Sequence, residues 1–398
     1  MSAPQPTPER DGAGGGRAGG GGGGRAAELV ETYFRLAPIT VPLYAILVAV
    51  VLGSLVILAA GGNPLEAYAA LFRGAFGTPE RIAGTLARST PFIIASLAVA
   101  FGFKAGLFNI GAEGQLLMGA LAAAWVGTWS GLAGLPGVLV VPVVLAAGVV
   151  GGGLWGGIPG WLKARTGAHE VIVTIMLNNI AVRLIEFLVT SRDPVILLDP
   201  TSTVAHTAQI HAAARLPSLA SGTGLHLGFL LALLLCLGVW FLLERTTPGF
   251  EIRTVGINPS AALYAGMSVP RTIVVVMLVS GAIAGLAGAA EVSGGVNGYL
   301  TPGSFRNIGF DSIAIALLGR ANPFAIIPAA ILWGALLAGA PLMQLEAGLS
   351  IDLVRIIQSL IILFVAADGI IRWLFRIRAP RAREDVAEPG AFSAGWGA

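Results

Sequence analysis

The stretch FGFKAGLFNIGAEGQLLMGALAAAW (residues 101–125) decides how the chain folds. It is almost entirely apolar, yet Lys104, Asn109, Glu113 and Gln115 lie among its glycines. A carboxylate in a helix exposed to hydrocarbon costs about 2–3 kcal/mol on insertion scales. Glu113 and Gln115, which lie close to the point where a helix begins, must therefore face a protein interior or an aqueous cavity.

The composition assigns the broad class. Hydrophobic residues make up 55% of the 398 residues and charged residues only 11%, whereas soluble domains carry about 25% charged residues. Repeated apolar runs of about 20 residues match the thickness of a bilayer core. We predict an all-α polytopic membrane protein. Its arginines concentrate in tails and loops beside apolar runs, as the positive-inside rule expects, so the net charge of +3 does not indicate a nucleic-acid partner.

About ten transmembrane helices place both termini and the basic loops in the cytoplasm. The predicted spans are 40–60, 91–103, 108–128, 137–161, 171–188, 227–243, 272–290, 308–318, 323–343 and 352–367. Residues 64–76 are expected to form an amphipathic helix at the outer surface, and residues 244–271 a cytoplasmic loop with two short helices. This layout divides the chain into a disordered Gly-rich cytoplasmic tail (1–37), a membrane domain (38–375) and a C-terminal cytoplasmic tail (376–398).

The order of the spans suggests an internal repeat. Spans 2–5 and spans 7–10 each follow a lone span and begin on opposite sides of the membrane. This is the pattern of an inverted-topology repeat, which builds a substrate path near the bilayer midplane. The two shortest predicted spans, 91–103 and 308–318, do not hold equivalent places in the two repeats.

Chemistry-bearing motifs are lacking. A phosphate-binding P-loop needs a lysine followed by Ser or Thr, and alanine follows both lysines of the chain, Lys104 and Lys163. No nucleophile elbow occurs, and His206 and His211 are five residues apart, not the i,i+4 pair of a helical metal site. We therefore predict a protein that is not an enzyme and has no catalytic residue, no metal site and no cofactor of its own.

Polar residues at membrane depth are the candidates for lining a translocation path. They are Asn109, Glu113, Gln115, Asn178 and Asp311. A structural interpretation stays open for three of them. Asn109 can cap a helix, Glu113 can pair with Lys104, and Asn178 can bond between helices. Arg183 and Glu186, spaced i,i+3, are expected to form an intramembrane ion pair.

Five motifs carry a resemblance to a known family. They are KAGLFNIGAEGQLLMGA (104–120), HEVIVTIMLNNIA (169–181), RTVGINPSAALYAGM (253–267), SGAIAGLAGA (280–289) and GFDSIAIALLGRANP (309–323). Over residues 38–375 the chain resembles permease subunits of bacterial ABC importers of the ribose/branched-chain amino acid superfamily, in the nucleoside/simple-sugar branch. His169 and Asn179 depart from the pattern of that branch, which often has Asn and Tyr there.

The resemblance implies an importer core in the bacterial inner membrane. It implies import of a nucleoside or simple sugar by alternating access, with ATP and Mg²⁺ bound by a cytoplasmic ABC ATPase. A second permease subunit, identical or different, and a Bmp-type substrate-binding lipoprotein complete the implied assembly. Arg253, Asn258, Ala262 and Gly266 match the loop that meets the ATPase. There are two alternatives. One is an ABC permease for branched-chain amino acids or ribose, and the other is an ion-coupled secondary transporter in which Glu113 or Asp311 titrates.

Overall fold

The computed structural model describes residues 42–366, most of which form thirteen α-helices. The helices are α1 (Pro42–Ala59), α2 (Pro64–Phe76), α3 (Pro79–Lys104), α4 (Ala112–Gly127), α5 (Gly137–Thr166), α6 (Glu170–Thr190), α7 (Gly228–Arg245), α8 (Thr247–Ile257), α9 (Pro259–Tyr264), α10 (Val269–Gly294), α11 (Ile308–Leu318), α12 (Pro323–Ala347) and α13 (Asp352–Ala366). The predicted tails, 1–37 and 376–398, lie outside the described residues.

The all-α polytopic membrane fold is confirmed. Seven of the described helices (α1, α3, α5, α6, α7, α10 and α12) are long and apolar enough to cross a membrane. Helices α4, α11 and α13 have 16, 11 and 15 residues, less than the roughly 20 residues of a full crossing. The number of crossings, predicted as ten, is therefore not settled by helix length. The two short helices predicted within 244–271 are α8 and α9.

The second predicted span, 91–103, is wrong in length. Helix α3 runs without interruption from Pro79 to Lys104, with Pro91 inside it. The polar residues before Pro91 made this half look like a surface segment. Their hydroxyl groups are in fact buried and bonded to backbone carbonyls: Thr85 donates to Ala75 at 2.8 Å and Ser89 to Thr85 at 2.7 Å.

Glycines bring the central helices into backbone contact. Helix α5 carries Gly148, Gly152 and Gly156 on one face, and that face lies against Gly281 and Gly285 of α10. A β-carbon at Gly152, Gly156, Gly281 or Gly285 would overlap the backbone of the opposite helix, and one at Gly148 would overlap the β-carbon of Ala289. Small residues of this kind allow membrane helices to gain close van der Waals contact where the hydrophobic effect is absent.

The packing of the helices supports the predicted inverted repeat. Helices α3–α6 correspond in order to α10–α13. The third helix of each repeat packs extensively on the first helix of the other repeat: α5 on α10, and α12 on α3. The second helix of each repeat also packs on the first helix of the other: α4 on α10, and α11 on α3. The shortened helices α4 and α11 therefore hold the same place in both repeats, unlike the short spans expected from the sequence.

Candidate functional site

A non-helical turn, residues 105–111, separates α3 from α4 inside the protein, and Asn109 holds it together. The Asn109 Oδ1 atom accepts from the Gly111 N–H at 2.9 Å, and its Nδ2 atom donates to Gln115 Oε1 at 2.9 Å and to Ser280 Oγ at 2.8 Å. Ser280 in turn donates to the Ala98 carbonyl at 2.7 Å. Irregular backbone at membrane depth must be satisfied by the protein, and this network does so.

Helix α6 supports the same turn from the other side. Asn178 donates to the Ile110 carbonyl and accepts from the Gly114 N–H, both at 2.9 Å. Near the start of α6, the buried Glu170 accepts from Lys163 at 2.7 Å. The sequence motifs at 104–120 and 169–181 thus meet to build one structural element, the break before α4.

The N-termini of the two shortened helices meet at Glu113. Its two carboxylate oxygens accept from the backbone N–H groups of Asn307 and Gly309, each at 2.7 Å, and its side chain is buried. Gly309 lies so close to the backbone of Glu113 that a β-carbon would not fit. Each helix N-terminus carries a partial positive charge, so one carboxylate compensates both helix ends.

Four of the five predicted path residues belong to this scaffold. Asn109, Glu113, Gln115 and Asn178 are each at most 4% exposed, and each has hydrogen-bond partners within the protein. The alternative of a Lys104–Glu113 pair is wrong, because Glu113 binds α11. Lys104 instead lines a cavity of about 380 Å³ beside Glu244 and Arg245. We call this face of the molecule the basic side, and the opposite face, which carries residues 191–227, the loop side.

Asp311, the fifth predicted residue, lines a second cavity at the N-terminus of α11. The cavity has a volume of about 430 Å³ and lies between α3, α10, α11, α12 and α13. It lies toward the loop side, because Arg88 in its wall follows Ala87, which is next to Gly224 of the 191–227 segment. The sequence indicated Asp311 but not the other residues of the wall, which come from separate helices.

Charged groups of both signs line this cavity, which we call the α11 cavity. The wall contains three guanidinium groups, those of Arg88, Arg306 and Arg355, and two carboxylates, those of Glu291 and Asp311. Gln358 is also in the wall; its side chain is only 5% exposed, and its Nε2 atom has no hydrogen-bond partner among the described residues. Buried amide donors are rarely left unpaired in this way.

The four predicted coupling residues differ in their contacts and in their exposure. Arg253 forms an ion pair with Glu244 at 2.7 Å, Asn258 caps α9 by accepting from the Ala261 N–H at 3.0 Å, and Gly266 adopts a positive φ of 80°. Ala262 is fully buried. Three apolar residues of α8 and α9 are exposed, and the sequence analysis did not identify them. Ile257, Leu263 and Tyr264 are 76%, 65% and 94% exposed.

Helix α8 lies directly on the turn before α4. Gly256 in its last turn contacts the backbone of Lys104 and Ala105, and Gly106, with a φ of +70°, faces Gly256 in return. Because both approaches are backbone to backbone, neither position accommodates a side chain. A displacement of α8 would therefore act on residues 105–111 without an intervening side chain.

One face of α6 carries polar groups on the outside of the bundle. Arg183 and Glu186 form the predicted ion pair at 2.7 Å, and their side chains are 80% and 47% exposed. Asn179, also exposed, donates to the Ile175 carbonyl of its own helix at 3.0 Å. Arg183 lies about 10 Å from the loop-side end of α6 at 1.5 Å per residue. These polar groups lie within a helix long enough to span the membrane.

Comparisons with known proteins give a consistent result. The family model described as "Branched-chain amino acid transport system / permease component" matches residues 81–366. The guanosine ABC transporter permease protein NupP of Bacillus subtilis is 43% identical over 85% of this chain and 96% of its own length. The nucleoside ABC transporter permease protein NupB of Lactococcus lactis is 36% identical over 88% and 97%, respectively.

A third relative extends the range of named substrates. The glucose ABC transporter permease protein TsgB13 of Haloferax volcanii is 35% identical over 81% of this chain and 86% of its own length. No solved structure matches the chain.

Proposed function

Because the chain belongs to the branched-chain amino acid transport system permease family, we propose that it is the membrane subunit of an ABC importer for nucleosides. The observation that carries the substrate class is its 43% identity, over almost the full length, to a guanosine permease. The chain is a multi-pass membrane permease component and not an enzyme.

The energy source belongs to a partner in this proposal. Alanine follows both lysines of the chain, so it has no standard phosphate-binding loop. ATP and Mg²⁺ are then bound by cytoplasmic ABC ATPase subunits. A substrate-binding lipoprotein of the Bmp type delivers the nucleoside to the loop side, and the basic side, with both chain termini, faces the cytoplasm of a bacterial cell.

The contacts of α8 supply a route for coupling. The exposed apolar residues Ile257, Leu263 and Tyr264 form the surface on which the ATPase docks. Movement of α8 passes through Gly256 and Gly106 to the turn before α4, and through Glu113 to the N-terminus of α11. The α11 cavity lies at the end of this route. Shortened helices that meet near the middle of a membrane protein are typical of alternating-access transporters.

The polar face of α6 supports the presence of a second permease subunit. Asn179, Arg183 and Glu186 face outward from a helix of transmembrane length. Intramembrane charges face protein or water, not lipid. We expect a second permease, identical or different, to cover this face.

The positions of the path candidates support a division of roles. Asn109, Glu113, Gln115 and Asn178 hold the helix break, whereas Asp311 lines the α11 cavity. In this proposal the first four affect transport through the geometry of α4 and α11, and Asp311 contacts the substrate.

Uptake by reconstituted protein tests the function. The chain is co-purified with its ATPase and lipoprotein and placed in proteoliposomes with labelled guanosine, glucose or leucine. Guanosine accumulation that requires ATP is the expected result. Accumulation by the chain alone under a proton or sodium gradient would instead identify a secondary transporter, and preference for glucose or leucine would overturn the nucleoside assignment.

A further inference from the structure

We infer that the α11 cavity is the site at which this chain binds the nucleoside during transport, with Asp311, Gln358 and Phe310 as its specificity-determining residues. The inference rests on the proposed function and adds the residues and the location. It starts from a cavity within one permease subunit, walled by five helices, that lies on the side from which the substrate is delivered.

The size and position of the cavity suit a small ligand. Its volume of about 430 Å³ lies within the range of about 300–1,000 Å³ typical of small-molecule sites. Glu113 fixes the end of α11 that forms part of the wall. Residues 295–307 precede α11 without helical structure, and breaks of this kind mark binding sites in transporters. The cavity is thus placed where movement of α4 would change its shape.

The charges in the wall favour a neutral ligand with many polar groups. The wall contains three guanidinium groups and two carboxylates, those of Arg88, Arg306, Arg355, Glu291 and Asp311. Arg355 also lies 3.6 Å from Asp352, which is outside the wall. With Asp352 included, three carboxylates balance three guanidinium groups, so an anion gains little net attraction there. Carboxylates and guanidinium groups can still bond the hydroxyls of a ribose and the polar edges of a base, which is the chemistry of an uncharged nucleoside.

Gln358 and Phe310 supply the two remaining contacts. The Gln358 Nε2 atom is buried in the wall without a partner among the residues described, so a carbonyl or hydroxyl oxygen of the ligand can accept from it. The ring of Phe310 is 44% exposed and lines the same cavity. Aromatic side chains bind bases by stacking on their faces. A nucleoside with its base on Phe310 would satisfy Gln358 at the same time.

Transport kinetics of the complete importer test the inference. Gln358→Leu, Asp311→Asn and Phe310→Leu are measured in the proteoliposomes described above, with Asp352→Asn as the matched control. Each of the first three should raise the KM for guanosine about tenfold, the effect of one lost hydrogen bond or stacking contact. Asp352→Asn removes a carboxylate that lies beside Arg355 but outside the cavity wall. This control should keep the KM within about twofold of the parent value.

Thermal stability separates binding from a structural role. Replacing an unpartnered buried amide with leucine does not destabilise a protein, so Gln358→Leu should raise KM without lowering the melting temperature of the complex. The inference is overturned if all three variants keep the parent KM, or if KM rises only where the melting temperature falls. If the parent complex takes up no nucleoside at all, the proposed function fails; if it does and the variants match it, only the location of the site is wrong.

Discussion

Substitution of Glu113 by glutamine is the most informative perturbation of the scaffold. Glutamine keeps the shape of the side chain but offers one acceptor oxygen in place of two, and its amide would face the second N–H group. The parent carboxylate binds Asn307 and Gly309, each at 2.7 Å. Hydrogen bonds to a charged group contribute about 1.5–3 kcal/mol each. Relief of the buried charge offsets part of this loss.

We expect a net destabilisation of about 2–4 kcal/mol, since one charged bond becomes neutral and the other is lost. For a chain of 398 residues, each kcal/mol corresponds to about 1 °C. The melting temperature of the purified chain, measured by tryptophan fluorescence in detergent, should therefore fall by about 2–5 °C. Glu346→Gln is the matched control. It breaks the exposed ion pair of Glu346 with Arg73, in which the two side chains are 40% and 56% exposed. A shift of about 1 °C or less is expected.

The result that would refute this reasoning is specific. If Glu113→Gln has the same melting temperature as the parent protein but abolishes uptake, Glu113 acts in the translocation path and does not stabilise the contact between α4 and α11. If both stability and uptake are unchanged, the carboxylate serves neither role.

Three further predictions follow from the packing. Gly285→Leu should prevent folding, because the leucine side chain would overlap the backbone of α5. Gly238→Leu, at a position with open space around it, should fold; the yield of protein and its gel-filtration profile distinguish the two outcomes. Asn178→Ala should cost about 1–3 kcal/mol of stability in thermal melts of the isolated chain, and Asn179→Ala less than about 0.5; equal effects would contradict the roles assigned. Tyr264→Asp should abolish uptake while ATP hydrolysis by the complex continues, and Tyr264→Leu should keep both; full uptake by Tyr264→Asp would exclude this docking surface.

The fold was largely predictable because long apolar runs have few alternatives. The short predicted span 308–318 coincides with α11. The long predicted spans agree with the ends of the observed helices to within a few residues in most cases. The failure at α3 has a local cause. Ser and Thr before Pro91 bond their own helix or a neighbouring one, which a sequence pattern cannot distinguish from exposure to water.

The site was less predictable because its contacts are distant in sequence. Glu113 was singled out as a polar group in an apolar run, but its hydrogen-bond partners are 194 and 196 residues away. Ala262 was assigned to the docking surface from the family resemblance, yet it is fully buried, whereas Tyr264 two residues later is exposed. Gln358 carries no motif, and its unpaired amide is visible only in the packed structure.

Cysteine accessibility tests the central claim, that the polar motif is a sealed scaffold and the α11 cavity is the ligand site. The chain has one cysteine, the buried Cys236, so Cys236→Ala provides a labelling background. In the assembled transporter, a membrane-impermeant thiol reagent added on the loop side should label Phe310→Cys, with protection by guanosine. It should not label Thr174→Cys, which replaces a fully buried residue beside Gly111. Rapid labelling at position 174, or labelling at position 310 that guanosine does not slow, would contradict the account.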